Sequence, residues 1–200
     1  KQIDETIFRE KYNLSKKPII ALLPGSRKQE ISKMLSIMLS LVDDFQQYEF
    51  VIAGAPSQSL DFYKKIIGSK NVAFVDNKTY DLLSVSYAAL VTSGTATLET
   101  ALFKVPQVVC YKGSIISYQI AKRIITLRFI SLVNLIMDKE VVKELIQKDF
   151  TKKNLTKELA MILDDTHRSK IFENYYQLEQ KLGGKGASKN TATSIISKLN

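Results

Sequence analysis

Cys110 is the only cysteine in the chain and His167 the only histidine. Neither a disulfide framework nor a Cys/His zinc site can be built from them, and a reducing, cytoplasmic setting is expected. No stretch of about 18 uncharged apolar residues occurs, so no helical span of a bilayer is expected. A Walker A loop and the G-x-G-x-x-G dinucleotide fingerprint are both missing, which removes most support for ATPase and NAD-binding readings. There is no internal repeat of fixed period and no low-complexity tract. The opening Lys1-Gln2-Ile3-Asp4 lacks an initiator methionine and the charged-then-apolar order of a signal peptide. The chain is therefore expected to be part of a longer protein.

What is present is an ordinary globular composition with an excess of positive charge. Hydrophobic residues make up 45% of the 200, enough for one well-buried core and one or two domains. The net charge of +9 and pI near 9.5 favour an anionic partner, whether nucleic acid, a phosphorylated small molecule or an acidic membrane. The lysines are scattered, with no aromatic RNA-binding motif and no basic helix-turn-helix pattern, so nucleic acid is the weakest of the three and none is expected as a partner.

Apolar runs of strand length recur at Ile19–Leu23, Phe50–Ala53, Val72–Val75, Ala88–Val91 and Val108–Tyr111, with helical periodicity between them. Several are apolar throughout, as strands covered on both faces are. The expected fold is α/β, a doubly wound Rossmann-like parallel sheet. Helices are expected from Ile31 to Val42, Asp61 to Ile67 and Thr95 to Phe103, the last with Leu98, Ala101 and Leu102 inward and Glu99 turned elsewhere. Beyond Met137 the pattern reads as helical, around Val141–Lys148, Leu155–Leu163, Ser169–Leu182 and Thr191–Leu199, with a break at Gly183-Gly184-Lys185-Gly186. Residues 1–150 thus form the sheet domain and 151–200 a helical tail. The run from Ile115 to Met137, interrupted by Lys122, Arg123 and Arg128, reads as a core helix and strand or as a surface for acidic lipid.

Ligands of such sheets bind beyond the carboxyl ends of the strands. There the chain places Gly25-Ser26-Arg27, Gly54-Ala55-Pro56-Ser57, Asp76-Asn77, Ser93-Gly94-Thr95 and Lys112-Gly113-Ser114. Glycines admit a ligand to the backbone and helix starts offer N–H groups to an anion, so a phosphate-bearing ligand is the simplest common reading. Pro24 and Gly25 shape the first turn, and Ser26 with Gln29 matches a capping box. Arg27 is not required by that cap and suits a phosphate or carboxylate. In Thr92-Ser93-Gly94-Thr95-Ala96-Thr97-Leu98-Glu99, small residues bare a helix start, and Glu99, one turn in, suits ribose hydroxyls or serves the helix dipole.

The segments PGSRKQEI, TSGTATLE, KVPQVVCYK and SLVNLI, in this order and spacing, resemble the lipid-A-disaccharide synthases, bacterial glycosyltransferases of the GT-B type. The likeness runs from about Ile19 to Leu145 and more loosely to the C-terminus. Val133 departs from it, since the family usually has proline there. The resemblance implies transfer of 2,3-diacylglucosamine from UDP to the 6-hydroxyl of 2,3-diacylglucosamine 1-phosphate, with inversion, to give a β-1,6 disaccharide. It also implies no metal or cofactor, and a UDP-sugar-binding domain at residues 1–150. Its helical tail would pack on that domain and on an N-terminal half that carries the acceptor site and general base. By the same resemblance, Ser93, Gly94 and Thr95 hold the diphosphate, Glu99 the ribose, and the backbone of Val75 and Asp76 the uracil. Arg27, beside Gly25 and Ser26, neutralises phosphate or orients the donor sugar, and Asn134 makes a secondary polar contact. Glu30 is the nearest carboxylate to a general base, with a capping or dipole role favoured. The implied setting is cytoplasmic, peripheral to the inner membrane of a Gram-negative-type bacterium, with self-association left open. Other UDP-N-acetylglucosamine enzymes, an undecaprenyl-linked transferase or a 2-epimerase, are the nearest alternatives, and a basic nucleic-acid-binding module is the alternative of another class.

Overall fold

The computed structural model describes residues 3–113 and 128–183. Six strands form one parallel sheet: β1 (Ile19–Leu23), β2 (Glu49–Gly54), β3 (Ala73–Asp76), β4 (Ser86–Thr92), β5 (Gln107–Tyr111) and β6 (Lys143–Ile146). Their spatial order is β3-β2-β1-β4-β5-β6, and every adjacent pair is parallel. The helices are α1 (Glu5–Lys11), α2 (Lys28–Leu39), α3 (Leu60–Ile67), α4 (Thr79–Ser84), α5 (Thr95–Leu102), α6 (Leu132–Met137), α7 (Lys152–Leu163) and α8 (Asp165–Lys181). This is the expected doubly wound arrangement.

The continuous apolar strands are explained by cover on both faces. Ile20 and Leu22 of β1 pack in the cluster that contains Ile31, Met34, Leu35 and Met38 of α2, whose spacings of three and four set one stripe against the sheet. Ile19, Ala21 and Leu23 face the opposite way, into a cluster with Phe8, Leu82 and Leu83. Cys110 is fully buried, and burial pushes its thiol well above the ordinary range. A disulfide reagent is expected to leave Cys110 untouched in native buffer and to titrate it fully after denaturation. Rapid stoichiometric labelling of the native chain would contradict this packing.

Three expectations fail here. The segment expected as a helix at Val141–Lys148 is instead edge strand β6, followed by a single 3-10 turn at Gln147–Asp149. Four residues are too few to carry helical periodicity, and register against β5 decides the outcome. In α5 the inward residues are Thr97, Thr100 and Ala101, while Leu102 is exposed. The two threonines are accommodated because their hydroxyls donate to the carbonyls of Gly94 and Ala96, at 2.8 and 2.7 Å. The run before Met137 ends in a helix, α6, rather than a strand. Val133 lies in its first turn, where a backbone N–H has no intrahelical partner, so the position accepts valine as readily as the proline that the resemblance led one to expect.

Leu155, Leu159 and Ile162 of α7 and Ile171, Tyr175 and Leu178 of α8 belong to the same apolar cluster as the sheet. Arg168 pins α8 to β4. Its guanidinium lies 3.6 Å from the centre of the Tyr87 ring and donates to the Tyr87 carbonyl at 2.9 Å. Desolvation lowers its pKa from the usual arginine value. The helix expected at Thr191–Leu199, most of the Gly183–Gly186 break, Ser114, Lys122 and Arg123 lie outside the described residues. Among those described, no helix is long and apolar enough to cross a membrane.

Candidate functional site

The carboxyl ends of β1, β2 and β4, with the loop after β3, enclose a cleft of about 540 Å³. Its floor at β4 is the unusual turn Ser93-Gly94. Gly94 sits at φ +155°, ψ −164°, a conformation that is essentially glycine's own. This turn aims the start of α5 at the cleft. The N–H groups of Gly94, Thr95 and Ala96 have no hydrogen-bond partner among the described residues, and no side chain caps the helix. Three adjacent free amides at a helix start form an anion cradle. Beside them the Thr92 hydroxyl is buried and also has no partner among the described residues.

Ser93 is more committed than expected. Its hydroxyl donates to the Ile130 carbonyl at 3.1 Å and its N–H to the Cys110 carbonyl at 3.1 Å. Its role is to hold the turn, and the donors left open are those of Gly94, Thr95 and Ala96. Glu99 is half-buried on the cleft wall beside Tyr80, and its negative charge holds the Tyr80 phenol above its usual pKa. Tyr80 in turn leans on Phe103, with ring centres 5.6 Å apart. The short helix α4 that carries Tyr80 has no clear periodicity, which is why sequence reasoning missed both. Lys78, paired with Asp81 at 3.5 Å, is the one cation lining the cleft among the described residues. The lining of the cleft therefore offers amides and hydroxyls more than charge.

The first loop departs from its expected roles. The N-cap of α2 is Arg27, with no side-chain cap, so the Ser26–Gln29 capping box does not form. Glu30 instead reaches back and accepts from the Ser26 N–H at 3.2 Å. Its carboxylate fills the space where a side chain on Gly25 would stand, and Gly25 has φ +105°. The cap thus slips by one residue because the third helical position carries the carboxylate. The Ser26 carbonyl accepts from Ser57 Oγ at 2.9 Å, tying the second loop to the first. Gly25 and Ser26 line the cleft, but Arg27 does not: it opens on a neighbouring hollow.

Val75 is buried in the core and Asp76 is exposed at the end of β3; the cleft wall begins one residue later, at Asn77. Asn134, expected as a polar contact, has no group to offer. It is fully buried, its Nδ2 donates to the Val142 carbonyl and to Glu144 Oε1, both at 2.8 Å, and its Oδ1 accepts from the N–H groups of Val141 and Val142. It is a structural residue that fixes α6 to β6. Among the described residues no cluster of three or more His, Cys, Asp or Glu side chains is arranged to hold a metal.

Comparison with known proteins agrees with this architecture. The family model for lipid-A-disaccharide synthetase matches residues 2–198. The lipid-A-disaccharide synthase of Syntrophus aciditrophicus is 36% identical over 185 residues, covering 88% of this chain and 48% of that protein. The chain spans about half the length of the curated relatives it matches. Among solved structures, the glycosyltransferase SnogD from Streptomyces nogalater superposes with a TM-score of 0.61 at 20% identity, covering 93% of this chain and 44% of SnogD. The S. aureus MnaA–UDP complex gives 0.56 at 16% identity, covering 87% and 45%. At these identities the structures establish the fold alone. The family match, over nearly the whole length, establishes that the chain belongs to the lipid-A-disaccharide synthetase family.

Proposed function

We propose that this chain is the donor-binding part of a lipid-A-disaccharide synthase. The whole enzyme transfers 2,3-diacylglucosamine from UDP to 2,3-diacylglucosamine 1-phosphate and releases UDP. The observation that carries the reading is the row of free amides at Gly94, Thr95 and Ala96, with Glu99 one helical turn away. The amides receive the diphosphate and stabilise the charge that grows on UDP as it departs. Glu99, beside Tyr80, accepts from the ribose hydroxyls. The uracil lies toward the end of β3, past Val75 and Asp76, against the cleft wall that begins at Asn77. Support comes from family membership and from a structural neighbour whose complex contains UDP. The acceptor's lipid portion and the general base belong to the part of the enzyme outside this chain, against which the helical tail packs. The reading places the enzyme in the bacterial cytoplasm at the inner membrane, where the positive charge assists its approach to acidic lipid.

Calorimetric titration tests this directly. UDP is expected to bind in preference to ADP, and Glu99→Ala to weaken UDP by about tenfold or more, the scale of one charged hydrogen bond. Equal binding of the two nucleotides, or an unchanged affinity in Glu99→Ala, would refute it.

A further inference from the structure

Across Glu30 from the cleft lies a second hollow of about 300 Å³, between the start of α2 and the exit of β5. Arg27, Lys28 and Lys33 line it from α2 and its cap, and Lys112 from the end of β5. None of these four cations takes part in an ion pair or a side-chain hydrogen bond among the described residues. Glu30 is the sole carboxylate among the residues that line the hollow, and it is engaged by the Ser26 N–H. The Tyr111 hydroxyl lies against Gly113, where any side chain would collide with it, and both residues line the hollow's rim.

The two cavities share Glu30 and divide the chemistry between them. The cleft has free amides and little charge. The hollow has four like charges whose mutual repulsion an anion would relieve. A point-charge site of this kind, small on the scale of ligand pockets, suits a phosphate monoester better than a nucleotide. Arg27 lines this hollow and not the cleft.

We infer that the hollow is a second anion subsite, separate from the UDP cleft, that receives the phosphate monoester of the acceptor sugar. The naming of the acceptor as the phosphate's carrier rests on the function proposed above; the existence of a second anion site does not. The test is calorimetry of the 200-residue chain at low salt, with glucosamine 1-phosphate and with inorganic phosphate, each with and without saturating UDP. Glucosamine 1-phosphate is expected to bind whether or not UDP is present. Lys33→Gln/Lys112→Gln should weaken it at least tenfold and leave the UDP affinity within twofold. The charge-matched control Lys64→Gln/Lys65→Gln, on exposed positions of α3, should change neither. Displacement by UDP, equal loss in the control, or no binding at all would overturn the subsite. Inorganic phosphate binding as tightly as the sugar phosphate would overturn the acceptor assignment. A chain that fails to bind UDP yet holds glucosamine 1-phosphate through Lys33 and Lys112 would refute the donor reading and leave the subsite standing.

Discussion

Asn134→Asp is expected to cost about 3–5 kcal/mol of stability, among the largest effects of any single substitution outside the hydrophobic core. Glu144 accepts from the N–H groups of Ile130 and Ser131 at 2.9 Å, from Ser131 Oγ at 2.7 Å and from Asn134 Nδ2 at 2.8 Å. Asn134 answers with the opposite polarity on its other side, accepting from Val141 and Val142. Replacing the amide with a carboxylate keeps the shape but sets two acidic groups at hydrogen-bond distance, and leaves the Val142 carbonyl facing an acceptor. Thermal unfolding should show a midpoint lowered by roughly 6–20 °C, using 2–4 °C per kcal/mol for a chain of this size. A change under about 2 °C would mean that the knot between α6 and β6 contributes little. UDP affinity at a temperature where the variant is folded should be unaffected, because Asn134 touches no part of the cleft.

Gly94→Ala is the complementary case, large in binding and moderate in stability. No atom of the described residues lies within 4 Å of the position a Cβ would take, so sterics among them do not explain the glycine. Two other causes do. The backbone at φ +155° strains any L-residue by about 1–3 kcal/mol, and the open space beside it is the approach to the three free amides. Relief of the strain rotates those amides away from their common focus. The UDP dissociation constant is expected to rise at least a hundredfold, beyond the effect of Glu99→Ala, with a melting point lowered by about 2–12 °C. Retention of wild-type UDP affinity by Gly94→Ala would remove the amide cradle from the proposal.

How far the sequence could be read depended on the length of each signal. Five of the six strands were legible because each falls in a continuous apolar run, even β3 at the sheet's edge. Strand β6 was not, since Lys143, Glu144, Leu145 and Ile146 form a half-covered edge whose conformation is decided by β5. Helices α1 and α4, at 7 and 6 residues, are too short to establish a period, and with α4 went Tyr80. The loops that build the cleft could be found from their glycines and position after strands. Which donors remain open within them could not, because Ser93 is consumed by Ile130 and Cys110, residues distant in sequence. Arg27 stood out because no cap needs its side chain, but that it lines the second hollow rather than the cleft depends on the three-dimensional course of the loop, which its local sequence does not carry.

The contact between Arg168 and the Tyr87 carbonyl joins residues 81 positions apart. During synthesis at roughly 5–20 residues per second, α8 follows β4 from the ribosome by about 4–16 s. As that interval opens, β1 to β4 have been made as apolar strands, while β5, β6 and then Leu159, Tyr175 and Leu178, which close one side of the sheet, are still to come. The nascent protein therefore passes through a state with an uncovered sheet face, open to wrong partners as readily as to its own tail. Arg168 is the latch of that final closure, so its loss should show first as poor yield of soluble protein, before any change in what the finished molecule binds.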